Sequence, residues 1–372
     1  MPVITGLEIG SENVRAAVVE TTRSAPILRQ FGEMPLPPGA VEAGEIIDEG
    51  AVREALVALW KQGKFPKKRV VLGVANQRVI VRHLDIPSLD DSEIVEGLPY
   101  LVQDAIPIPV EDAVLDFVPI EQFTGSEGDS MLSILAVAAH RDMIEGLIEL
   151  TGAAGIRLLA VDLQAFGLVR ASFGTDLLAG GTGSQALIDI GGSLTQIAIV
   201  RDGVIRFVRL LPTGGQEFTA DLSDGLGIDG DAAEELKRQV GVLPEGVPSG
   251  SGDTVAAGVI LTETADRLID DVRGSVNYYL SQSAEPVLEK LVVAGNGARL
   301  PHLANRIGKV LDTRVEAARV LDHVDVGRLN MTKNELLAYQ PVLPAAVGLA
   351  LWGQYVVPAS RRSEPAMEEE SA

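Results

Sequence analysis

The chain has 372 residues and carries 31 Lys+Arg against 52 Asp+Glu, a net charge of −21. That length predicts more than one domain, and the acid excess excludes a protein built to grip nucleic-acid backbone or to adhere broadly to anionic lipid. The lack of cysteine excludes disulfides, thiolate metal sites and a Cys nucleophile, and hydrophobic residues at 46% predict a folded chain.

The opening residues lack a basic start, a long apolar core and a small-residue cleavage site. The longest apolar stretches, such as 345–352, fall short of a spanning helix. A soluble protein of a reducing compartment is expected.

In chain order, short apolar runs alternate with helical patterns, which predicts α/β layers. Strands are expected at 3–9, 13–20 and 27–36, then a helix at 49–61 with Val52, Leu56, Val57 and Trp60 at helical spacing. A basic turn, 61–69, reads as a solvated loop before a strand at 70–74. Next comes an α+β module: a strand at 77–85, a helix from 88 to about 103 opened by Ser88, Asp90 and Asp91, strands at 113–120 and 131–138, and a helix at 141–154. A strand at 157–161 leads into a helix at 162–171. Residues 177–183 are glycine-rich and mark a boundary.

A second half then restarts the first. Strands at 185–189, 196–200 and 204–211 are followed by helices at 215–222 and 232–240, a Pro/Gly/Ser loop at 242–253 and a long helix at 255–282. A strand at 291–294, a helix at 301–311, an apolar helix at 345–355 and a disordered acidic tail at 359–372 complete the chain. The segments GLEIGSENVRAAVV and ALIDIGGSLTQIAIV share one design: apolar strand, acidic residue, Ile-Gly, small polar turn, second strand. A duplicated α/β domain is the natural reading.

Each such turn offers backbone N–H groups that can converge on a phosphate. The carboxylate beside them suits a hydrated Mg²⁺. A β-hairpin needs the same residues for conformational reasons alone, but two copies at the heads of two related halves point more strongly to phosphate. Residues 294–299, Ala-Gly-Asn-Gly-Ala-Arg, let backbone approach a flat ligand ahead of a helix N-terminus. Glu234, Lys237 and Arg238 share a helix face, where a carboxylate can accept ribose hydroxyls and a guanidinium can stack on adenine. The plain alternative is a solvated face with ion pairs. His83, His140, His302 and His323 have no metal-ligand spacing.

With these residues in place, the chain resembles the actin-like ATPase superfamily. Leu7-Glu8-Ile9-Gly10-Ser11 resembles its first phosphate loop, Asp189-Ile190-Gly191-Gly192-Ser193-Leu194-Thr195 the second, and Val293-Ala294-Gly295-Asn296-Gly297 the adenosine motif. Val161-Asp162-Leu163-Gln164-Ala165 resembles the first connecting segment. Within the superfamily the chain is similar to the PilM family of type IV pilus assembly. That likeness rests on Asn76-Gln77-Arg78-Val79, Ala105-Ile106-Pro107-Ile108-Pro109, Val161-Asp162-Leu163-Gln164-Ala165-Phe166, Gly214-Gly215-Gln216-Glu217-Phe218-Thr219 and Arg273-Gly274-Ser275-Val276-Asn277-Tyr278-Tyr279.

The resemblance implies an α/β, actin-like (ribonuclease H-like) two-lobed fold with a central nucleotide cleft and an inserted α+β subdomain. The implied division is 1–76 and 151–180 for the first lobe, 77–150 for the insert, 181–337 for the second lobe and 338–358 for a helix returning to the first. It implies ATP and Mg²⁺ as cofactors. Gly10, Ser11, Gly191, Gly192, Ser193 and Thr195 would contact phosphates, with Gly214 and Gly215 in the same cleft. Glu234 and Lys237 would meet the ribose, and Gly295, Arg273 and Arg299 would frame the adenine side. Asn13, Arg15, Arg238, Asn296 and Gly297 belong to the same implied cofactor site. Asp189, Glu8 and Asp162 are its implied catalytic carboxylates, with Asp189 and Glu8 at the metal. Four departures stand out: Glu8 for Asp, Arg15 for Lys, Asn296 for the second Gly, and Asp162 for Glu or Gln. They lead to an expectation of weak or absent hydrolysis.

The implied partners are the cytoplasmic N-terminal tail of PilN and other pilus platform proteins. Nucleic acid and direct membrane insertion are not expected, and homo-oligomerisation is left open. The implied location is cytoplasmic, at the inner face of the membrane through the protein partner. Rival readings are an FtsA-like division protein, a small-molecule kinase of the same superfold, and a nucleotide-free scaffold. The FtsA-like protein would end in a basic amphipathic helix, whereas this chain ends in Met367-Glu368-Glu369-Glu370-Ser371-Ala372. The kinase would need a general base that no Asp here supplies in a sugar-kinase-like context.

Overall fold

Two apolar strands joined by a small polar turn found the first sheet of the computed structural model, which describes residues 2–174, 183–244, 252–283, 287–329 and 331–353. β1 (Val3–Ile9) and β2 (Asn13–Glu20) pair antiparallel, with Glu8 opposite Arg15 and Ile9 opposite Val14. β3 (Ile27–Pro35) pairs antiparallel with β2. A small hairpin follows, β4 (Val41–Glu42) and β5 (Glu45–Ile46). It is too short to leave a periodic signal, and the sequence reading missed it. Asp48 caps α1 (Glu49–Gly63) by accepting from the Ala51 N–H at 2.9 Å. That helix buries Val52, Leu56, Leu59 and Trp60 against the sheet. β6 (Val70–Val74) then lies parallel to β1.

The module inserted next is a three-stranded antiparallel sheet in the order β7-β9-β8, from β7 (Val79–Pro87), β8 (Ala113–Thr124) and β9 (Ser130–His140). α2 (Asp91–Val102) sits between β7 and β8 and starts with a capping box, Asp90 N–H donating to the Glu93 carboxylate at 3.0 Å. Ile94, Leu98 and Val102 pack on Ile86, Leu132 and Ile134 to give the module a core of its own. Its other face meets the strand at Val204–Leu211 of the second half. Ile120, Val79 and Leu135 pack with Val204, Ile205 and Val208, and Arg206 pairs with Glu121 at 2.9 Å.

The chain returns through α3 (Arg141–Ala153) to β10 (Leu158–Leu163), parallel to β6, and α4 (Gln164–Phe173). The helix expected from residue 162 therefore begins two residues later, because β10 keeps its ladder with β6 through Leu163. The second half comprises β11 (Ser184–Ile190), β12 (Thr195–Arg201), β13 (Val204–Leu211), α5 (Gly215–Leu226), α6 (Gly230–Val240), α7 (Asp253–Gln282), β14 (Leu288–Ala294), α8 (Leu303–Val310) and β15 (Val315–Ala317). Its strand order, β13-β12-β11-β14-β15, repeats β3-β2-β1-β6-β10 of the first half with the same strand senses. The internal repeat seen in two turns thus extends to whole sheets.

β16 (Asp325–Val326) joins β3, α9 (Lys333–Tyr339) sets Tyr339 5.1 Å from the Phe31 ring, and α10 (Leu343–Ala350) is buried along its whole length. A helix apolar on every side belongs inside. α10 ends at Ala350, short of the expected 355, and β15, β16 and α9 were not foreseen. Most of the glycine-rich boundary at 177–183, part of the 242–253 loop and the tail at 359–372 lie outside the described residues. Among the described residues, no helix is long and apolar enough to cross a membrane.

Candidate functional site: a cleft between two acidic turns

The two lobes meet turn to turn. In the first, Gly10 N–H donates to the Asn13 carbonyl at 2.9 Å; in the second, Gly191 N–H donates to the Leu194 carbonyl at 2.9 Å. Among the described residues, the N–H groups of Ser11, Glu12, Gly192 and Ser193 donate to no backbone acceptor. Such groups are free to receive an anion. The turns approach so closely that a Cβ on Gly192 would overlap the Ser11 hydroxyl. A hydrogen bond crosses the cleft as well: Ala43 N–H donates to the Ser193 hydroxyl at 3.0 Å.

A small inner cavity of about 70 Å³ lies between the turns. Glu8, Gly10, Ser11, Asn13, Arg15, Asp189, Gly191, Gly192, Ser193, Gly295 and Asn296 all line it. Its electrostatics are unequal. Arg15 Nη1 lies 3.2 Å from Glu8 Oε1 and Arg15 Nε 3.0 Å from Glu33 Oε2, so the first carboxylate has a cation. Opposite Asp189 in the other hairpin stands a neutral amide, Gln196, with Nε2 3.3 Å from Asp189 Oδ2. Burial first, and then the charge of Glu8, push the Asp189 carboxyl up to about 7; Arg15 and Gln196 offset only part of this. Burial also raises the Glu8 carboxyl despite Arg15. Glu8 Oε2 and Gln196 Oε1 are buried acceptors without a donor among the described residues. Two carboxylates, with unanswered acceptor oxygens on Glu8 and Gln196 beside them in one buried cavity, fit a divalent cation that keeps its own waters.

An outer cavity of about 350 Å³ adjoins the inner one along Glu12, Gly191, Gly192 and Asn296. Its remaining walls include Gly215, Glu234, Lys237, Arg238, Gly297 and Arg299. Lys237 Nζ is pinned by the Gly215 carbonyl at 2.9 Å, the Thr219 hydroxyl at 2.9 Å and Glu234 at 2.5 Å. Glu234 also receives Thr219 at 2.6 Å and Arg238 at 2.9 Å. Burial works against the charge of Glu234, but these bonds outweigh it and hold the carboxyl below its usual range. Gly295, at φ +83°, carries the chain past β11, where a Cβ would overlap the Ile190 carbonyl.

Four expected residues stand elsewhere. Asp162 lies on β10, ion-paired to Arg170, which also donates to the Gly348 carbonyl at 2.9 Å. Gln164, two residues on, lines the inner cavity instead. Arg273 pairs along α7 with Asp270 at 2.8 Å and lines neither cavity. Thr195 is fully buried, its hydroxyl donating to the Thr213 carbonyl at 2.8 Å. Gly214 packs beneath the second turn, where a Cβ would lie 2.6 Å from the carbonyls of Gly191 and Gly192. The next two amides, Gly215 and Gln216, donate to those same carbonyls at 2.9 and 2.7 Å. The reading also missed Gly44 and Val342, which reach the cavity only through tertiary packing.

Two sheets that share a five-strand order, the first extended by β16, are opposed across a cleft and define the actin-like two-lobed class. Solved structures share that fold. The likeness to a PilM–PilN type IV pilus biogenesis complex has a TM-score of 0.80 at 24% identity, covering 95% of this chain and 99% of the other. The likeness to MreB5 of Spiroplasma citri bound to ADP has a TM-score of 0.52 at 14% identity, covering 86% and 92%. Residues 6–354 match the family model of the type IV pilus assembly protein PilM, and the chain belongs to that family. Among curated relatives, the cell division protein FtsA of Bacillus subtilis is 26% identical over 257 residues, 63% of this chain and 57% of the relative. FtsA of Escherichia coli K12 is 21% identical over 391 residues, 94% of this chain and 90% of the relative.

Proposed function

We propose that this chain is an ATP-binding assembly protein of the type IV pilus inner-membrane platform, which holds the cytoplasmic N-terminal tail of PilN. The observation that carries the nucleotide reading is the pair of opposed turns with unclaimed amides, flanked by Glu8 and Asp189. The MreB structures bound to ADP and to AMPPNP share the fold and lend support. Gly10, Ser11, Gly191, Gly192 and Ser193 would present amides and hydroxyls to the phosphates. Asp189 would hold Mg²⁺ through water, with Glu8 and Gln196 accepting from the ion's waters. When bound, Mg²⁺ neutralises phosphate and carboxylate charge. Glu234, Lys237 and Arg238 would receive the ribose and base in the outer cavity, with Gly297 and Arg299 as the facing wall.

Turnover is expected to be weak. Asp162 is paired with Arg170 and lines neither cavity, so it is not placed to take a proton from water in the cleft, and Glu8 gives one of its two oxygens to Arg15. Gln164 can orient a water but is no base. The protein would therefore hold nucleotide to fix its shape.

The PilN reading draws on family membership and on the likeness to a PilM–PilN complex. The first lobe and the inserted module at 77–150 would receive the tail, tethering the chain to the inner face of the cytoplasmic membrane. Co-purification from cells with mass spectrometry tests this. Pilus inner-membrane proteins are the expected partners; division proteins in their place would contradict the reading.

A further inference from the structure

The turn of the hairpin formed by β4 and β5 touches both the second lobe and the root of the inserted module. Its residues, Ala43 and Gly44, have φ of +46° and +81°. Two successive positive φ values suit a tight hairpin, but alanine adopts that region at a cost. Such a conformation persists where surrounding contacts over-determine it. Here those contacts come from two sides. From the second lobe, the Ser193 hydroxyl accepts the Ala43 N–H at 3.0 Å. From the first, the chain at Ala75 and Asn76 backs the turn so tightly that a Cβ on Gly44 would overlap the Ala75 carbonyl.

Asn76 is the junction. It is 4% exposed and sits between β6 and the start of the insert. Its Nδ2 lies 3.4 Å from the Gly44 carbonyl and 2.9 Å from the Met143 sulfur on α3. Its Oδ1 accepts the Arg78 N–H at 3.0 Å, and its own carbonyl accepts the Val79 N–H at 3.2 Å. One side chain therefore joins the hairpin, the first residues of the insert and the helix that leaves it.

We propose that the Ala43–Gly44 turn senses nucleotide in the cleft and that Asn76 passes its position to the inserted module. The proposal rests on the nucleotide reading given above. A hydroxyl can accept one hydrogen bond while donating its own proton to a phosphate oxygen. An anion between the turns orients the Ser193 hydroxyl so that its lone pairs stay on Ala43, and each bond polarises the other. When the lobes part, Ser193 leaves with the second lobe and the strained turn loses one of its two braces. The two states thus differ by specific contacts, as a ligand-driven shift requires. Asn76 is a positioning residue: it touches no ligand, and it links a turn that moves to strands that respond.

Hydrogen exchange with and without Mg-AMPPNP tests the inference. In the unsubstituted chain, nucleotide is expected to slow exchange about fivefold or more in the hairpin at 41–46, in β7 and in α3. In Asn76→Ala, nucleotide still binds and the hairpin still gains protection, while the gains in β7 and α3 disappear. A merely structural role would lower protection there equally with and without nucleotide, leaving the gain intact, and that outcome overturns the inference. Should Asn76→Ala fail to fold, Met143→Leu keeps the volume, removes the sulfur acceptor and is expected to lose the gain in α3; a retained gain overturns the inference equally. If the unsubstituted chain binds no nucleotide at all, the nucleotide reading falls and the relay with it. Binding with an undiminished gain in the variants sinks the relay alone.

Discussion

Glu8 and Asp189 hold the same place in the two halves of the molecule, yet they meet opposite fates. Each sits seven positions before the side chain it meets across its hairpin, Arg15 for Glu8 and Gln196 for Asp189. One partner is a cation and the other a neutral amide. The duplicated architecture is therefore electrically lopsided, with the uncompensated carboxylate on the second lobe.

That lopsidedness gives a pH signature. Asp189 has its folded-state pKa raised from an ordinary value of 3.8 to about 7, so the folded chain binds more protons than the unfolded one between those values. Its contribution to stability is then lost as pH rises through about 7. The ligand-free Asp189→Asn variant is expected to exceed the parent in stability at pH 8, by roughly 2–4 kcal/mol from the size of the shift. The two should converge near pH 4. Urea denaturation at both pH values checks this.

Arg15 holds two carboxylates in a buried place, and its own side chain is only 9% exposed. Arg15→Met leaves Glu8 and Glu33 without their cation and is expected to cost roughly 3–5 kcal/mol at pH 7.5. Part of that loss should return at pH 5, where a raised Glu8 carboxyl takes up a proton more readily. Denaturation of parent and variant at the two pH values measures both effects.

Much of this was legible in sequence, for identifiable reasons. The two hairpins are long apolar strands around small polar turns, so strand positions and acidic residues could be read directly. The register that sets Glu8 against Arg15 and Asp189 against Gln196 came only with the structure. Asp162 was misplaced because the border between strand and helix shifted by two residues, which moved the cavity position to Gln164. Arg273 was misread because a partner three residues away, Asp270, claims its guanidinium on the same helix face. β4, β5, β15 and β16 have two or three residues each, too few for any period to show. The pKa of Asp189 depends on burial and on Glu8 across the cleft, which no local pattern encodes.

Gly295 should tolerate no side chain. Its φ is +83°, and a Cβ there would overlap backbone, which cannot rotate away. Gly295→Ala is expected to destabilise by roughly 1–3 kcal/mol from the backbone conformation alone, read as a lower urea midpoint. Gly192→Ala meets the Ser11 hydroxyl and, less closely, the Glu12 carboxylate, both on side chains that can turn. It should leave the midpoint nearly unchanged while weakening nucleotide binding.

Lys237 lines the outer cavity and not the inner one. Its ammonium spans Gly215, Thr219 and Glu234, so Lys237→Met removes charge-assisted bonds at the ribose side and leaves the acidic turns intact. ATP affinity is expected to fall about tenfold, corresponding to about 1.4 kcal/mol. Titration of a fluorescent ATP analogue measures the change.

Mg-ATP is expected to bind in the cleft between the two acidic turns, and to need Asp189 to do so. Calorimetric titration of Mg-ATP into the parent chain and into Asp189→Ala tests this most directly. Saturable binding by the parent that weakens when EDTA removes Mg²⁺ is expected, with loss of binding in the variant. No binding by the parent, or equal binding by both chains, would contradict it.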